Sequence, residues 1–522
     1  MAFSALFAVS GCGGGSSTTP EATTAISGTV TAGPVDGGTL TVLDASGNTV
    51  AGPVSVTNGH YTVNVPNAKL TEDLTIQSTG GTFTDEATGQ TATAGELAVV
   101  ATGGTLASTS VHMTPATTVI KHLVKKGKTL AEAKTAFANA FGYTPDSSLE
   151  PDFTSATGVT DEQMLARKLE GLSATAFSKL TKDMGLPPGK QFELLAKLAD
   201  DLNDTSGELD GIGASGAAVM VDGTAMPEDI AGRMEDSMIA AKDGMGMTVD
   251  KVGKLPFAKV RFTSKYRIKY IPGMMAATNG KTTFKLQVKE KTSGTAVSGL
   301  TLGLTPIMHM ATKSHGTPVD SIVDNGDGTY TCTLYYLMSS MMNDKMSGFW
   351  ELAVTADSET VKFHPFVGMA MGTDTARATL KDNNDKIAGG MGGTVRSYYL
   401  FKNSIGGMTN NHTFKLFIAT TNDMMNDYPA VSVGTTLKDQ NSANWAVTAM
   451  SVDASTDGGT TWQPMADKTG GHWEISGMSG LTSGTAGTIT VRMSINGTAK
   501  TSDGTSSGAN ASFTVTPPAS SM

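Results

Sequence analysis

The sequence predicts a mostly β, multidomain protein in which β-sandwiches flank one small, inserted α-helical domain. Three observations support this prediction. The chain has 522 residues, which is too long for a single hydrophobic core. It contains 61 glycines and only 16% charged residues, a composition typical of short strands joined by many turns. Alternating hydrophobic stretches occupy both ends of the chain, whereas residues 114–250 show the periodicity of helices.

Residues 1–23 are predicted to form a lipoprotein signal and a flexible tether. An apolar run over residues 1–9 leads into Val-Ser-Gly-Cys at residues 9–12. Small residues before a cysteine resemble a bacterial lipobox, in which that cysteine is lipidated and becomes the mature N-terminus. The Gly- and Ser-rich residues 13–17 are typical of the tether that follows. We therefore expect Cys12 to carry a lipid that anchors the protein in the bacterial cell envelope, at the outer membrane on its periplasmic or surface side.

Residues 24–113 are predicted to be the first sandwich. Strand patterns at residues 26–30, 38–43 and 60–65 are separated by Gly, Pro and Asn turns. The order Ser-Gly-Thr-Val at 27–30, Asp-Ala-Ser-Gly-Asn at 44–48 and Asn-Gly-His-Tyr at 58–61 resembles the carboxypeptidase regulatory-like, or transthyretin-like, sandwich. The resemblance implies a spacer or adhesive module with little chemistry of its own.

The helical domain is predicted over residues 114–250. Thr114 and Pro115 open a helix, and a second, Ala-rich helix over residues 130–141 stops at Gly142. Further helices are expected at 161–169, 192–199 and 227–242, the last with Pro227 and two acidic residues in its first turn.

Strand patterns return from about Lys259 and continue to the end of the chain. Residues 273–288 and 407–418 share a Gly-Met start and a Thr-Phe-Lys-Leu core, and each segment is followed by a Gly-rich turn. We therefore predict a tandem pair of sandwiches, residues 255–360 and 395–516, joined by a linker at 361–394. The alternative is that the second sandwich is an unrelated immunoglobulin-like unit.

Methionine is the unusual feature of the composition. Of 29 methionines, four lie in the first 219 residues and twenty lie between Met220 and Met425. Many of them neighbour Gly, Asn, Asp or Ser, in segments that do not bury a thioether easily. Soft thioether and imidazole ligands select Cu(I) over harder ions, so the clustering indicates a use for sulfur. Core packing, crowded turns and buffering against oxidation are the alternative interpretations.

The densest cluster is Pro-Ile-Met-His-Met at residues 306–310, followed by His315 and Gly316. With Gly-Asp-Gly-Thr-Tyr at 326–330 and Gly-Phe-Trp at 348–350, this order resembles the YtkA-like and FixH-like family of periplasmic sandwiches. The resemblance implies copper handling, with Met308, Met310 and His315 on the ligand positions. On a strand, Met308 and Met310 share one face while His309 faces the other way, so His309 is either a further ligand or a core or surface residue.

Two functions are therefore predicted. The first is a lipid-anchored envelope protein that binds or handles a soft metal ion, copper, through the Met/His cluster. The alternative is a non-enzymatic surface or scaffold lipoprotein that contacts an envelope protein partner. No zinc-protease motif or Cys-x-x-Cys occurs, so no enzyme is expected. A net charge of −10 without a basic stripe argues against nucleic acid.

Cys332 and the turn before it have simpler predicted roles. Cys332 shares a strand face with Tyr330 and Leu334, a pattern that favours core packing. Residues 324–329 resemble part of a calcium loop but lack its terminal Glu, and they are better interpreted as a hairpin turn. No disulfide is expected between Cys12 and Cys332.

Overall fold

The computed structural model describes residues 21–519, apart from 107–109, 156–158, 160, 253, 344 and 424–426. It is 41% strand and 17% helix, with the strands divided among separate sheets. The predicted fold class, a mostly β multidomain protein with a helical insertion, is confirmed. Cys12 and most of the predicted tether lie outside the described residues. Across the described ranges, no helix combines the length and the apolar character needed to cross a membrane.

The first strands form a small sandwich. β1 pairs with β4, β2 and β5 lie at the centre of a sheet ordered β3-β2-β5-β8, and β6 pairs with β7. Their bounds are β1 Thr23–Thr29, β2 Thr39–Leu43, β3 Thr49–Ser55, β4 His60–Pro66, β5 Leu74–Thr79, β6 Thr82–Thr84, β7 Thr91–Thr93 and β8 Leu97–Ala101.

Five α-helices and a short hairpin follow. They are α1 Pro115–Lys125, α2 Leu130–Phe141, α3 Glu162–Asp183, α4 Gln191–Leu202, the hairpin β9 Met220–Val221 and β10 Thr224–Ala225, and α5 Ile230–Gly244. Thr129 and Glu132 cap the start of α2 reciprocally, and Gly142 ends it in the left-handed conformation. The predicted bounds of α2 are confirmed.

Helix α5 begins three residues later than predicted. Glu228 is drawn away from the first turn because its carboxylate forms an ion pair with Arg267 on a neighbouring strand. Asp229 occupies the cap position but accepts a hydrogen bond from the Arg233 side chain instead of capping the helix.

The first sandwich and the helices share one hydrophobic core, although the sequence predicts them as separate units. Buried residues of this core run continuously from Ile26 to Leu255. The two parts meet where α1 packs on β8, and the Thr117 hydroxyl donates a hydrogen bond to the Ala98 carbonyl. The change of period at Thr114 therefore marks a change of secondary structure inside one packed body.

The next body is a two-layer sandwich. One layer has the order β11-β12-β13-β17-β16 and the other has the order β15-β14-β20-β21. The bounds are β11 Val260–Phe262, β12 Tyr266–Ile271, β13 Gly280–Glu290, β14 Gly303–Met310, β15 Ser314–Gly316, β16 Val319–Asp324, β17 Thr329–Tyr336, the hairpin β18 Met341–Met342 and β19 Lys345–Met346, β20 Gly348–Ala356 and β21 Glu359–Phe363. Residues 324–329 form the predicted hairpin turn, between β16 and β17.

The last body is a second two-layer sandwich, with β33 attached to β31. Its sheets are ordered β22-β23-β24-β30-β29 and β28-β27-β31-β32, and β25 pairs with β26. The bounds are β22 Arg377–Ile387, β23 Thr394–Met408, β24 Asn411–Thr420, β25 Thr436–Lys438, β26 Asn444–Ala446, β27 Met450–Ser455, β28 Gln463–Pro464, β29 Ala466–Asp467, β30 His472–Met478, β31 Gly487–Ile495, β32 Thr498–Lys500 and β33 Ala511–Val515.

The predicted linker at 361–394 is not a simple connection. It contains the end of β21 and all of β22, an edge strand that pairs with β23. The strand was not predicted because its residues are mostly polar, as is common at a sheet edge. The two sandwiches also touch, since the Tyr335 ring stacks on Phe417 with ring centres 4.3 Å apart.

The C-terminal end of α2 provides a stability test. A methyl group at Gly142 would lie 1.5 Å from the Lys254 carbonyl oxygen, whereas Gly127, also at positive φ, has open space around it. Gly127→Ala should cost about 1 kcal/mol from backbone strain alone. Gly142→Ala should cost at least about 2 kcal/mol more, because backbone must also move. Urea unfolding followed by helical circular dichroism measures both. Equal losses would contradict the close approach.

A candidate methionine–histidine site

Strand β14 separates its side chains between two environments. Met308 is fully buried in the core of the sandwich, and Met310 is half-buried against the same core. His309 points to the opposite face, where its ring packs against Phe349 at 5.3 Å between centres. The alternation follows from the two-residue period of a strand. Met308 and Met310 therefore share a face that His309 does not.

A tight hairpin brings His315 back to Met308. The Met310 amide donates to the Lys313 carbonyl, and β15 then pairs with β14 so that His315 lies directly opposite Met308. Residues opposite each other on paired strands project from the same face of the sheet. His315 therefore lies on the inner face, beside the two predicted sulfur ligands, at one end of the sandwich.

A fourth residue, Met338, completes the group. Its sulfur lies 3.3 Å from His315 Nε2, in the segment that follows β17. The Met338 carbonyl accepts a hydrogen bond of 3.0 Å from the indole of Trp350, and the Trp350 ring meets His315 edge-on at 5.5 Å. We call Met308, Met310, His315 and Met338 the His315 cluster. Trp350 holds two of its members in place.

The hydrogen bonding of His315 defines its protonation. Nδ1 lies 2.7 Å from the Gly316 carbonyl oxygen, which can only accept, so Nδ1 carries the hydrogen. Burial lowers the pKa of His315, which leaves the ring neutral at pH 7 and Nε2 with a free lone pair. That lone pair faces the Met338 thioether, which is also an acceptor. Two acceptor atoms in contact, His315 Nε2 and the Met338 sulfur, can both bind the same cation.

His309 belongs to a different group on the outer face. Its Nε2 lies 3.5 Å from Glu351 Oε2, and His364 Nε2 lies 3.7 Å from the same oxygen. These contacts hold the pKa of Glu351 well below its usual range. The structure therefore does not bring His309 to the predicted ligands, because it lies on the opposite face of β14.

His364 continues this group into the helical body. Its Nδ1 lies 3.0 Å from Oε1 of Glu235 on α5, although neither ring nitrogen meets its carboxylate in hydrogen-bond geometry. Glu235 also pairs with the buried Arg261 guanidinium. Burial disfavours a charged imidazole, but the negative charges of Glu235 and Glu351 outweigh it and raise the pKa of His364 to about 9. We call His309, Glu351, His364, Glu235 and Arg261 the interbody network.

Two further points concern Cys332 and the grouping of other metal-binding side chains. Cys332 is buried in the sandwich core, where burial raises the pKa of its thiol to about 12. In the part of the chain that the structure describes, no three His, Cys, Asp or Glu side chains are placed to hold a metal ion.

Comparisons with known proteins add little. No protein-family model and no curated protein matches the chain. Among solved structures, the chain is similar to invasin, a bacterial integrin-binding protein, with 14% identity and a TM-score of 0.15 over 48% of this chain and 59% of that chain. It is also similar to an endo-fucoidan hydrolase of glycoside hydrolase family 107, with 11% identity and a TM-score of 0.13 over 59% of this chain and 49% of that one.

A third similarity is to TarS of S. aureus, with 10% identity and a TM-score of 0.15 over 69% of this chain and 58% of that one. The chain thus spans less than two thirds of each of these three chains. Likenesses at such TM-scores carry no argument about activity.

The interbody network predicts a pH-dependent stability. The pKa of His364 is raised from 6.5 to about 9, so its contribution is complete below pH 6.5 and is lost as pH rises through 9. The difference in unfolding free energy between wild type and His364→Gln should therefore shrink by up to roughly 3 kcal/mol over that range. Taking a difference cancels other groups that titrate there. Urea unfolding at several pH values measures it, and parallel profiles would contradict the assignment.

Proposed function

We propose that the protein binds Cu(I) through the His315 cluster and acts as a lipid-anchored, copper-handling protein of the bacterial envelope. The observation that carries the proposal is the contact between the free lone pair of His315 Nε2 and the Met338 sulfur at 3.3 Å. Imidazole and thioether are the ligands that Cu(I) prefers over harder donors. The resemblance of residues 306–350 to the YtkA-like and FixH-like family also supports copper binding.

The residues fit such an ion in three respects. His315 is oriented by a hydrogen bond from its other ring nitrogen to the Gly316 carbonyl, as metal-binding histidines usually are. Met310 and Met338 are half-buried, so the cluster lies between the core and solvent at the end of the sandwich. Met308 lies opposite His315 and offers a further sulfur from inside the core. A bound Cu(I) would be held by neutral side chains alone.

A competitive titration tests the proposal. Cu(I) is supplied under anaerobic, reducing conditions with a chromogenic chelator, and the absorbance of the chelator complex reports how much Cu(I) the protein takes up. The His315→Ala and Met338→Leu variants should each weaken binding by more than the roughly 10–100-fold that the loss of an outer-shell partner costs, because each removes a coordinating atom. Met308→Leu and Met310→Leu should weaken it too. Methionine and leucine have similar volumes, so these changes should cost under about 1.5 kcal/mol of stability.

The control is the neighbouring residue on the other face. His309→Gln removes an imidazole next to Met308 in sequence but outside the cluster, and it should leave the Kd for Cu(I) nearly unchanged. If a variant lacking all four cluster side chains binds Cu(I) as tightly as wild type, the proposal fails.

A scaffold lipoprotein is the second candidate function. The observation that favours it is the aromatic junction in which Tyr335 stacks on Phe417 and also packs against Phe401, joining the two sandwiches through buried rings. Such a junction suits a spacer that holds a partner at a set distance from a membrane. This function would be favoured over copper binding if the wild-type protein took no Cu(I) from the chelator.

The anchoring part of the proposal has its own test. Metabolic labelling with a palmitate analogue should label the wild type, and Cys12→Ala should abolish the label and release the protein from the membrane fraction. Cys332→Ala is the control, because that thiol is buried in the core and should not affect labelling. Label that persists without Cys12 would exclude lipidation at this cysteine.

A further inference from the structure

Methionine dominates the apolar side chains that the structure exposes. Among the described residues ten large hydrophobic side chains are exposed, and eight of them are methionines while the other two are valines. No leucine, isoleucine or phenylalanine is in this group. Phenylalanine is enriched at docking surfaces between proteins, and none is exposed among the described residues. The feature that eight of the ten exposed positions share is the thioether.

Five of these methionines occupy the loops at one end of the first two-layer sandwich. Met274 and Met275 lie between β12 and β13, Met342 lies in the β18–β19 hairpin, and Met369 and Met371 follow β21. We call residues 272–279, 337–343 and 364–376 the end loops. Met274 is 107% exposed and Met371 is 89% exposed, so these side chains project into solvent and do not pack on one another.

Backbone hydrogen bonds join the end loops into one surface. The Asn279 amide donates to the Gly368 carbonyl at 3.0 Å, and the Gly368 amide donates to the Ala277 carbonyl at 2.9 Å. The Ser340 amide donates to the Val367 carbonyl at 2.7 Å, which ties the second loop to the third. The exposed methionines are thus carried on a connected platform.

This platform lies at the same end of the sandwich as the His315 cluster. Gly280, at the start of β13, pairs with Tyr336, two residues before Met338. Gly348, at the start of β20, pairs with Met310. Met338 is itself part of the second end loop, so one loop carries both an exposed thioether at Met342 and a cluster sulfur.

The composition of the end loops favours a soft cation. Residues 272–279 and 364–373 contain four exposed methionines and no carboxylate. Hard cations such as Ca²⁺ and Mg²⁺ need oxygen ligands with negative charge, and Asp374, the one carboxylate of the third end loop, is already paired with Lys402. Isolated thioethers hold Cu(I) more weakly than a set of converging ligands. An ion bound to them can therefore be transferred to a tighter site.

We infer that the exposed methionines of the end loops capture Cu(I) from a donor and pass it to the His315 cluster by ligand exchange. This inference rests on the proposed function and adds an entry route to it. Each exchange forms one bond from copper to an incoming sulfur, or to His315 Nε2 in the cluster, and breaks one bond to the previous ligand, and the charge of the ion stays at +1. No oxidant or reductant takes part. The surface should control the rate of loading and leave the final affinity unchanged.

The test is a stopped-flow transfer experiment. The full chain is mixed anaerobically with a Cu(I)–bicinchoninate complex, and loss of the complex's absorbance is followed. In the triple variant Met274→Leu, Met369→Leu and Met371→Leu, transfer should slow by roughly tenfold while the Kd at equilibrium stays as in wild type. The substituted side chains are exposed, so the fold should be retained, and circular dichroism checks it.

A matched triple variant controls for the loss of thioethers in general. Met220→Leu, Met391→Leu and Met408→Leu replace equally many exposed methionines that lie outside the end loops, and loading should then be as fast as in wild type. Unchanged loading in the end-loop variant, or equal slowing in both triples, would overturn the capture surface and leave the proposed function standing. Absence of transfer to wild type would overturn both.

Discussion

The register of β14 against β20 is the constraint on which the other features of the site depend. Met308 lies opposite Trp350 and His309 lies opposite Phe349 across this pair. Both faces of the sheet are covered, because the inner face belongs to the sandwich core while Phe349 on the outer face joins the core of the helical body. A slip of one residue would bury His309 in the core and turn Met308 toward charged groups. The His315 cluster and the interbody network are therefore two results of one strand pairing.

The interbody network determines how the helical body meets the sandwich. Glu235 comes from α5, Arg261 from β11, and Glu351 from β20, so the charges meet only when these elements are docked together. Buried ion pairs add little net stability compared with apolar packing, because desolvation cancels most of the attraction. Removing one partner, however, leaves an unpaired buried charge. The network thus favours a single docking arrangement, and with it a fixed position for the strand that carries Met308.

Local patterns in the sequence were sufficient for many of the individual elements, although not for the polar edge strand β22, and they did not predict the contacts between elements. The bounds of α2 follow from Thr129, Glu132 and Gly142, and the opposite facing of Met308 and His309 follows from strand periodicity. The approach of Met338 to His315 depends on the Trp350 hydrogen bond, a contact across the fold that sequence spacing does not determine. The core shared by residues 24–113 and the helices was not predicted, for a similar reason. Periodicity shows that a face is buried, but it does not identify the partner.

The burial of Cys332 has a consequence for any metal held nearby. A thiolate binds Cu(I) with a negative charge and forms disulfides in an oxidising compartment. Cys332 does neither, since its thiol is enclosed between the two layers with a pKa of about 12. Among the described residues Cys332 is the one cysteine, so no reactive thiol lies beside the His315 cluster. Under the proposed function, a Cu(I) ion in this cluster would meet neutral donors, which release it to a stronger ligand without first needing to be reprotonated or reduced.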